Sequence, residues 1–337
     1  MDASTLRGKL LFGYQGWFDC CPESGAPGHG ATWVHNWSAA LGSRPIATNN
    51  STFDLWPVVD ELPARSRHET PELTSRSHPG RPLELFSSFP NSTADVHFRW
   101  WMREYGLDGV FIQRFVHGLS GSRGREKDTV LTHALRAAEA NGRVVSVMYD
   151  DISGAEENEW ASSATLLTDL RAITPITLIG GVSTHWREGS GDTKPGFESV
   201  YESMDVLSPW LVGRTKDNAS FDSYMANTFV ADLDHTHELG VGWAPVIFPG
   251  FPWSNLMRTR GTGPAKFSAI PRRAGRFWSH QAAAFAAMRA SNASAGPNAN
   301  TSVPLFYYGT MFDELDEGEI SCYAHPSCAC VCNWCKL

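Results

Sequence analysis

Short apolar runs alternate with longer amphipathic ones along nearly all of this 337-residue chain, and few architectures accept that rhythm. The runs Leu10–Tyr14, Leu83–Ser87, Gly109–Phe115, Arg143–Tyr149, Ile176–Gly181, Asp205–Trp210, Val241–Phe248 and Leu305–Met311 are rich in β-branched, aliphatic and aromatic residues and read as strands. Helical spacing covers Ala94–Tyr105, Lys127–Asn141, Glu157–Ile173, Phe197–Met204, Phe221–Leu239 and Arg276–Ser291, with Gly106, Gly142 and Gly240 as stops. Strands that alternate with helices imply a parallel sheet. Eight such strands point to a closed (β/α)8 TIM barrel rather than an open doubly wound sheet. No Gly-x-Gly-x-x-Gly follows the first strand, so a dinucleotide fold has no support. The expectation is an α/β fold with one barrel domain over residues 1–320 and a Cys-rich tail over 321–337 in the place of a clear eighth helix.

Composition narrows the function classes. The net charge is -8 with no basic run, which argues against a nucleic-acid partner and against an anionic membrane surface. No apolar stretch approaches the roughly 20 residues that span a bilayer. Thirteen tryptophans are many for this length. Some must be core, but flat indole faces beside placed polar groups also suit sugar rings. Asn-x-Ser/Thr sequons begin at Asn36, Asn49, Asn50, Asn91, Asn218, Asn292 and Asn300, which points to the secretory pathway although the given sequence opens without a signal-peptide pattern. Cys20, Cys21, Cys322, Cys328, Cys330, Cys332 and Cys335 follow no paired zinc spacing, and no cofactor or metal is expected. The histidines of Asp234-His235-Thr236-His237 lie within a predicted helix, away from any strand end.

A barrel keeps its chemistry at the C-terminal ends of its strands. Tyr14, Gln15 and Trp17 follow the first strand, Gln113 and Arg114 end the third, and Asp150 and Asp151 follow the fourth. His185 and Trp186 follow the fifth, Trp210 and Arg214 the sixth, and Trp253 and Asn255 the seventh. This rim reads as a glycan-binding surface with Tyr14, Trp17, Trp210 and Trp253 as aromatic contacts. Core packing is as good a reading for Tyr14 and Trp17. Asp150 is placed to bind hydroxyls or to adjust a neighbouring carboxyl, and Arg114 to contact sugar or, preferably, to pair with Asp150.

After the eighth strand come Asp313, Glu314, Asp316 and Glu317, four carboxylates within five residues. Such a cluster is either a solvated acidic turn or a reactive pair. Glu314 and Glu317 stand three apart, so one helical turn would put both on one side. Glycoside cleavage needs two carboxyl groups, one to protonate the leaving oxygen and one to supply base or negative charge. Crowding of like charges raises one of the two pKa values, which suits an acid.

Several stretches carry a resemblance: Gly13-Tyr14-Gln15-Gly16-Trp17-Phe18, Asp54-Leu55-Trp56-Pro57, residues 97–115, Met148-Tyr149-Asp150, residues 208–214, Phe248-Pro249-Gly250-Phe251 with Trp253, Ile270-Pro271-Arg272 and residues 311–318. In this order, over nearly the whole chain, they resemble a glycoside hydrolase-like barrel family related to glycoside hydrolase families 71 and 99. Family 99 contains endo-acting α-mannosidases with a Glu-Trp-His-Glu-Gly segment after the last strand. Here Glu314-Leu315-Asp316-Glu317-Gly318 keeps both glutamates and the glycine and replaces Trp-His by Leu-Asp. The resemblance implies a retaining hydrolase of an α-linked oligo- or polysaccharide, of mannan or glucan type. It implies Glu314 as the general base that removes the sugar 2-hydroxyl proton and Glu317 as the general acid. A non-catalytic glycan-binding barrel is the alternative.

Overall fold

The computed structural model describes residues 2–20, 33–34, 51–74, 80–115, 121–150, 159–193, 195–261, 263, 269–294 and 304–315, and the structural statements below concern these. Twelve strands follow in chain order: β1 (Leu10–Tyr14), β2 (Asp19–Cys20), β3 (Trp33–Val34), β4 (Arg67–Thr74), β5 (Pro82–Phe86), β6 (Gly109–Phe115), β7 (Val144–Asp150), β8 (Ile179–Val182), β9 (Val206–Pro209), β10 (Gly242–Trp243), β11 (Val246–Ile247) and β12 (Tyr307–Gly309). One parallel sheet runs β11-β12-β1-β6-β7 and a second runs β10-β9-β8. β10 and β11 are two stretches of one extended segment broken at Ala244-Pro245, where proline has no N–H to give a ladder. Ala244 donates to the Leu207 carbonyl on one side at 2.9 Å, and the Pro245 carbonyl accepts from Tyr308 on the other at 2.9 Å. The segment therefore joins the two sheets into one wrapped layer of parallel strands, an α/β arrangement of the expected kind.

The first strand is buried on both faces. Leu10-Leu11-Phe12-Gly13-Tyr14 is apolar without alternation, and every residue of it is buried. Phe12 packs on Trp278 of the helix Arg276–Ser294, with ring centroids 5.8 Å apart. Tyr14 turns to the run 91–104, against His97 and Phe98. Gly13 faces the other way. A Cβ there would meet the Met311 thioether at 2.1 Å and the Tyr308 hydroxyl at 2.3 Å, so any other residue would have to displace these two side-chain ends.

One sequence expectation is corrected. The run Leu83–Ser87 does supply a strand, β5, but it pairs antiparallel with β4 and stays out of the parallel layer. The reason lies in β1, whose register with β6 runs unbroken from Leu11↔Gly109 to Tyr14↔Ile112. No strand fits between them. Alternating apolar residues identify a strand but carry no information on its direction or neighbour.

The helices fall close to expectation. The helix Gly121–Asn141 stops at Gly142, which has φ +58. The helical run 218–239 stops at Gly240, with φ +72, and starts earlier than its apolar spacing suggests because Asp217 caps it through the Ser220 N–H at 2.9 Å. A π-turn at His97–Trp101 widens the run 91–104, burying His97, Phe98 and Trp101 while leaving Trp100 exposed. No helix among the described residues is long and apolar enough to cross a membrane.

The tightest backbone approach lies where β6 begins. A Cβ on Gly109 would sit 2.0 Å from the Val144 carbonyl oxygen, a backbone atom of the neighbouring strand. Gly109→Ala is expected to destabilise the protein by roughly 2–3 kcal/mol, as other overpacked cores do. Urea unfolding at neutral pH measures this, and a change below about 0.5 kcal/mol would show that β6 and β7 separate more easily than their register suggests.

Candidate active site

The acidic stretch after β12 is not a solvated turn where the structure describes it. Met311, Phe312, Asp313, Glu314 and Leu315 are all buried. The loop is tied to both neighbouring strands: Thr310 donates to the Ile247 carbonyl at 2.9 Å and Phe312 to the Gly13 carbonyl at 2.7 Å. The Asp313 carboxylate then accepts the Gln15 N–H at 2.7 Å through Oδ1 and the Gly16 N–H at 2.8 Å through Oδ2. Gly16 permits this because its φ is +62, a turn conformation that leaves two successive amides aimed at one carboxylate. Asp313 thus fastens the last strand's loop to the first strand's loop, and Glu314, 8 % exposed, is the next residue along.

Asp313 is fully buried, with no cation against it among the described residues. Burial pushes its carboxyl up to about 7, against the two N–H donors of Gln15 and Gly16, which pull it down. Behind it lies a second polar pair. The Tyr14 hydroxyl stands 3.0 Å from His97 Nδ1, both residues are fully buried, and burial lowers His97 to about 3, so the imidazole is neutral at physiological pH. Burial, and then the nearby Asp313, raise the Tyr14 phenol well above its ordinary value. The Phe312 ring packs on Tyr14 at 5.4 Å and on His97 at 4.9 Å.

The expected rim residues fall into two groups. Tyr14 and Trp17 present no open face. Tyr14 is walled in as described, and Trp17 is 4 % exposed with the Lys127 ammonium 5.0 Å above its ring. Trp210 and Trp253 are half-buried. Trp210, just past β9, lies 6.1 Å from the Tyr308 ring, whose hydroxyl reaches the thioethers of Met148 at 3.7 Å and Met311 at 3.6 Å. Gln113 extends to Met148 from β6 at 4.0 Å. Gly13, Gln113, Met148, Trp210, Tyr308 and Met311 therefore gather around the ends of β1, β6, β7, β9 and β12. Trp253 packs on Phe251 at 4.7 Å and leads into the helix Ser254–Thr259, whose Asn255 N–H is held by Asp54 at 3.1 Å.

Arg114 is 5 % exposed and pairs with Asp128 of the following helix at 2.7 Å. Asp150 closes β7 in register with Phe115, and its side chain lies outside the described residues, as does the expected pairing with Arg114. Arg214 braces a loop: it pairs with Asp192, which also accepts from Ser183 Oγ at 2.5 Å and faces His185 Nδ1 at 3.4 Å. The Ser183 hydrogen bond is the main reason Asp192 is held below its ordinary range. Glu317, Asp316, the separation of the two glutamates, residue 320 and the Cys-rich tail 321–337 lie outside the described residues.

No family model matches the sequence, and no curated protein matches it. Solved structures do. The GH99 endo-alpha-mannosidase from Bacteroides thetaiotaomicron superposes with a TM-score of 0.51 at 12% sequence identity, over 94% of this chain and 88% of that one. The same enzyme in complex with BIS-TRIS-propane gives 0.52 at 12% identity, over 94% and 87%. The chain shares its fold with the GH99 endo-alpha-mannosidases. At this identity the likeness covers the course of the backbone, and the chemistry of this chain rests on its own residues.

The Asp313 clamp makes a pH prediction. The carboxyl has a folded pKa of about 7 against an ordinary value of 3.8, so between those values the folded state keeps a proton that the unfolded state loses. Its contribution to stability is complete below about pH 4 and declines as pH rises through 7. Asp313→Asn cannot titrate, so the stability of wild type minus that of the variant is expected to shrink by up to about 4 kcal/mol between pH 4 and pH 8. Urea unfolding of both proteins at the two pH values tests this, and a difference that grows with pH would contradict it.

Proposed function

We propose that the protein is a retaining glycoside hydrolase acting on an α-linked glycan of mannan or glucan type, with Glu314 as general base and Glu317 as general acid. The observation that supports this reading best is the placement of Glu314. It is nearly buried on a loop that Asp313 fastens to β1, at the C-terminal ends of parallel strands where barrel enzymes keep their chemistry. The half-buried Trp210 beside Tyr308 suits the apolar face of a sugar ring. The proposal includes a single barrel-like domain over residues 1–320, an oligo- or polysaccharide partner, and a secretory-pathway location, the last on the strength of the sequons.

On an α-mannoside, whose O2 lies trans to the leaving oxygen, the bond changes balance without a protein nucleophile. An α-glucoside, whose O2 lies cis, cannot follow this route, so the mechanism favours the mannan-type substrate. Glu314 takes the proton of the sugar 2-hydroxyl as O2 attacks C1. The glycosidic C–O bond breaks while Glu317 donates its proton to the departing oxygen. The product of this step is a 1,2-anhydro sugar. Water then attacks C1 and gives a proton to Glu317, while Glu314 returns its proton to O2. Two inversions at C1 restore the starting configuration.

A second reading has an observation behind it. Leu315, which stands where family 99 has tryptophan, is fully buried and presents nothing to a ligand. A non-catalytic glycan-binding barrel would tolerate that change more easily than an enzyme.

The two readings separate in one experiment. Wild type is expected to release reducing ends from yeast α-mannan oligosaccharides or α-1,3-glucan oligosaccharides. Glu317→Gln should lower the rate at least ~10²-fold, the usual contribution of a general acid, with affinity kept. Binding without turnover in wild type would leave the binding module as the correct reading.

A further inference from the structure

Gln15 is the residue whose chemistry the site has not yet used. It is 6 % exposed, and its side-chain oxygen is buried with no hydrogen-bond partner among the described residues. A buried amide left unpaired costs roughly as much as a lost hydrogen bond, and native interiors keep few of them. The backbone around it is not free to relieve the defect. Its N–H is held by Asp313, and Gly16 turns the chain immediately afterwards.

The direction of the side chain follows from β1. Phe12 and Tyr14 point outward to the helices, and Gly13 points inward to the Tyr308 hydroxyl and Met311. Side chains alternate along a strand, so Gln15, one step past Tyr14, falls on the Gly13 side. That is the side on which Trp210 lies against Tyr308. The same Asp313 carboxylate that fixes Gln15 also fixes the loop carrying Glu314. One buried group thus sets the relative positions of a reactive carboxyl and an unsatisfied amide.

We infer that Gln15 is a substrate-binding residue, its amide hydrogen-bonding a hydroxyl of the sugar ring that sits over Glu314. This rests on the glycoside hydrolase reading above. In the free protein the amide oxygen is turned away from solvent. The terminal torsion of glutamine is broad and roughly two-fold, so rotation of the amide brings either its oxygen or its nitrogen to the opening the residue retains. Such a group answers a hydroxyl as either acceptor or donor. An unpaired amide that gains its partner only on binding also makes the site intolerant of a sugar lacking that hydroxyl.

The test compares wild type with Gln15→Met, which keeps length and volume and removes both polar atoms. Reducing-end release from α-mannan oligosaccharides and α-1,3-glucan oligosaccharides gives kcat and KM, and thermal unfolding of the free protein gives Tm. The inference predicts a fall of roughly 10-fold or more in kcat/KM, with Tm unchanged or higher because an unsatisfied acceptor has been removed. Gln15→Ala, which opens space, should lose kcat/KM as well. Full kcat/KM in Gln15→Ala would trace the Met defect to bulk and overturn the assignment. Wild-type kinetics in both variants would also overturn it, while leaving hydrolysis intact. A lowered Tm with unchanged kinetics per folded molecule would make the amide a packing group, again against the inference. A wild-type protein that neither binds nor cleaves either oligosaccharide series would remove the hydrolase reading and this inference together.

Discussion

Two hydrogen bonds from the Gln15 and Gly16 amides to one carboxylate, Asp313, hold together segments that lie 298 and 297 residues apart in the chain. The pairing of β1 with β12 brings the two loops into range, and the carboxylate sets where they stop. Much else at this end of the molecule hangs on that contact. Phe312 packs against Tyr14 and His97 because Asp313 is anchored on its far side, and Glu314 inherits its position from the residue before it. The arrangement is also electrostatically unusual. A carboxyl that is fully buried with two amides and no cation is stable only if it stays partly protonated, and burial accordingly holds it near 7.

The surroundings reinforce that low-dielectric setting. His97 is neutral, Tyr14 is protonated, and the rings of Phe312, Trp101 and Phe98 close around them. The ring cluster behind the loop is therefore uncharged at His97 and Tyr14. On the other side of β1 the chemistry is softer: two thioethers, a phenol and an indole, with glycine at position 13 to make room. An apolar floor with few polar groups is the kind of surface on which a sugar ring stacks while its hydroxyls find specific partners.

Much of this was legible in the sequence, and the failures have physical causes. β1, β6, β7, β9 and β12 fall within a few residues of the apolar runs that announce them; β1 is the plainest case, since a strand buried on both faces reads as a continuous apolar stretch. β5 misled because a hairpin strand and a barrel strand share the same local composition. For Tyr14 and Trp17 a stacking platform and a core position are equally good readings of the sequence, because an aromatic at a strand end looks the same whether a helix covers it or not. Here the run 91–104 covers one and Lys127 the other. Arg114 found Asp128 about two turns into the helix Gly121–Asn141, a choice set by three-dimensional proximity. Asp313 stood in view among four carboxylates, but its distinct role depends on amides at the opposite end of the chain, and no local pattern carries that.

The central claim is that this loop performs a hydrolysis with two inversions at C1, starting with a base that deprotonates O2. Proton NMR of an α-mannan oligosaccharide digest, recorded before mutarotation, reads the configuration of the first reducing ends formed. The account predicts α-configured product at early times, drifting toward the anomeric equilibrium afterwards. Product that appears first in the β configuration would contradict it, since a single inversion needs a water activated from the opposite face and gives Glu314 a different task.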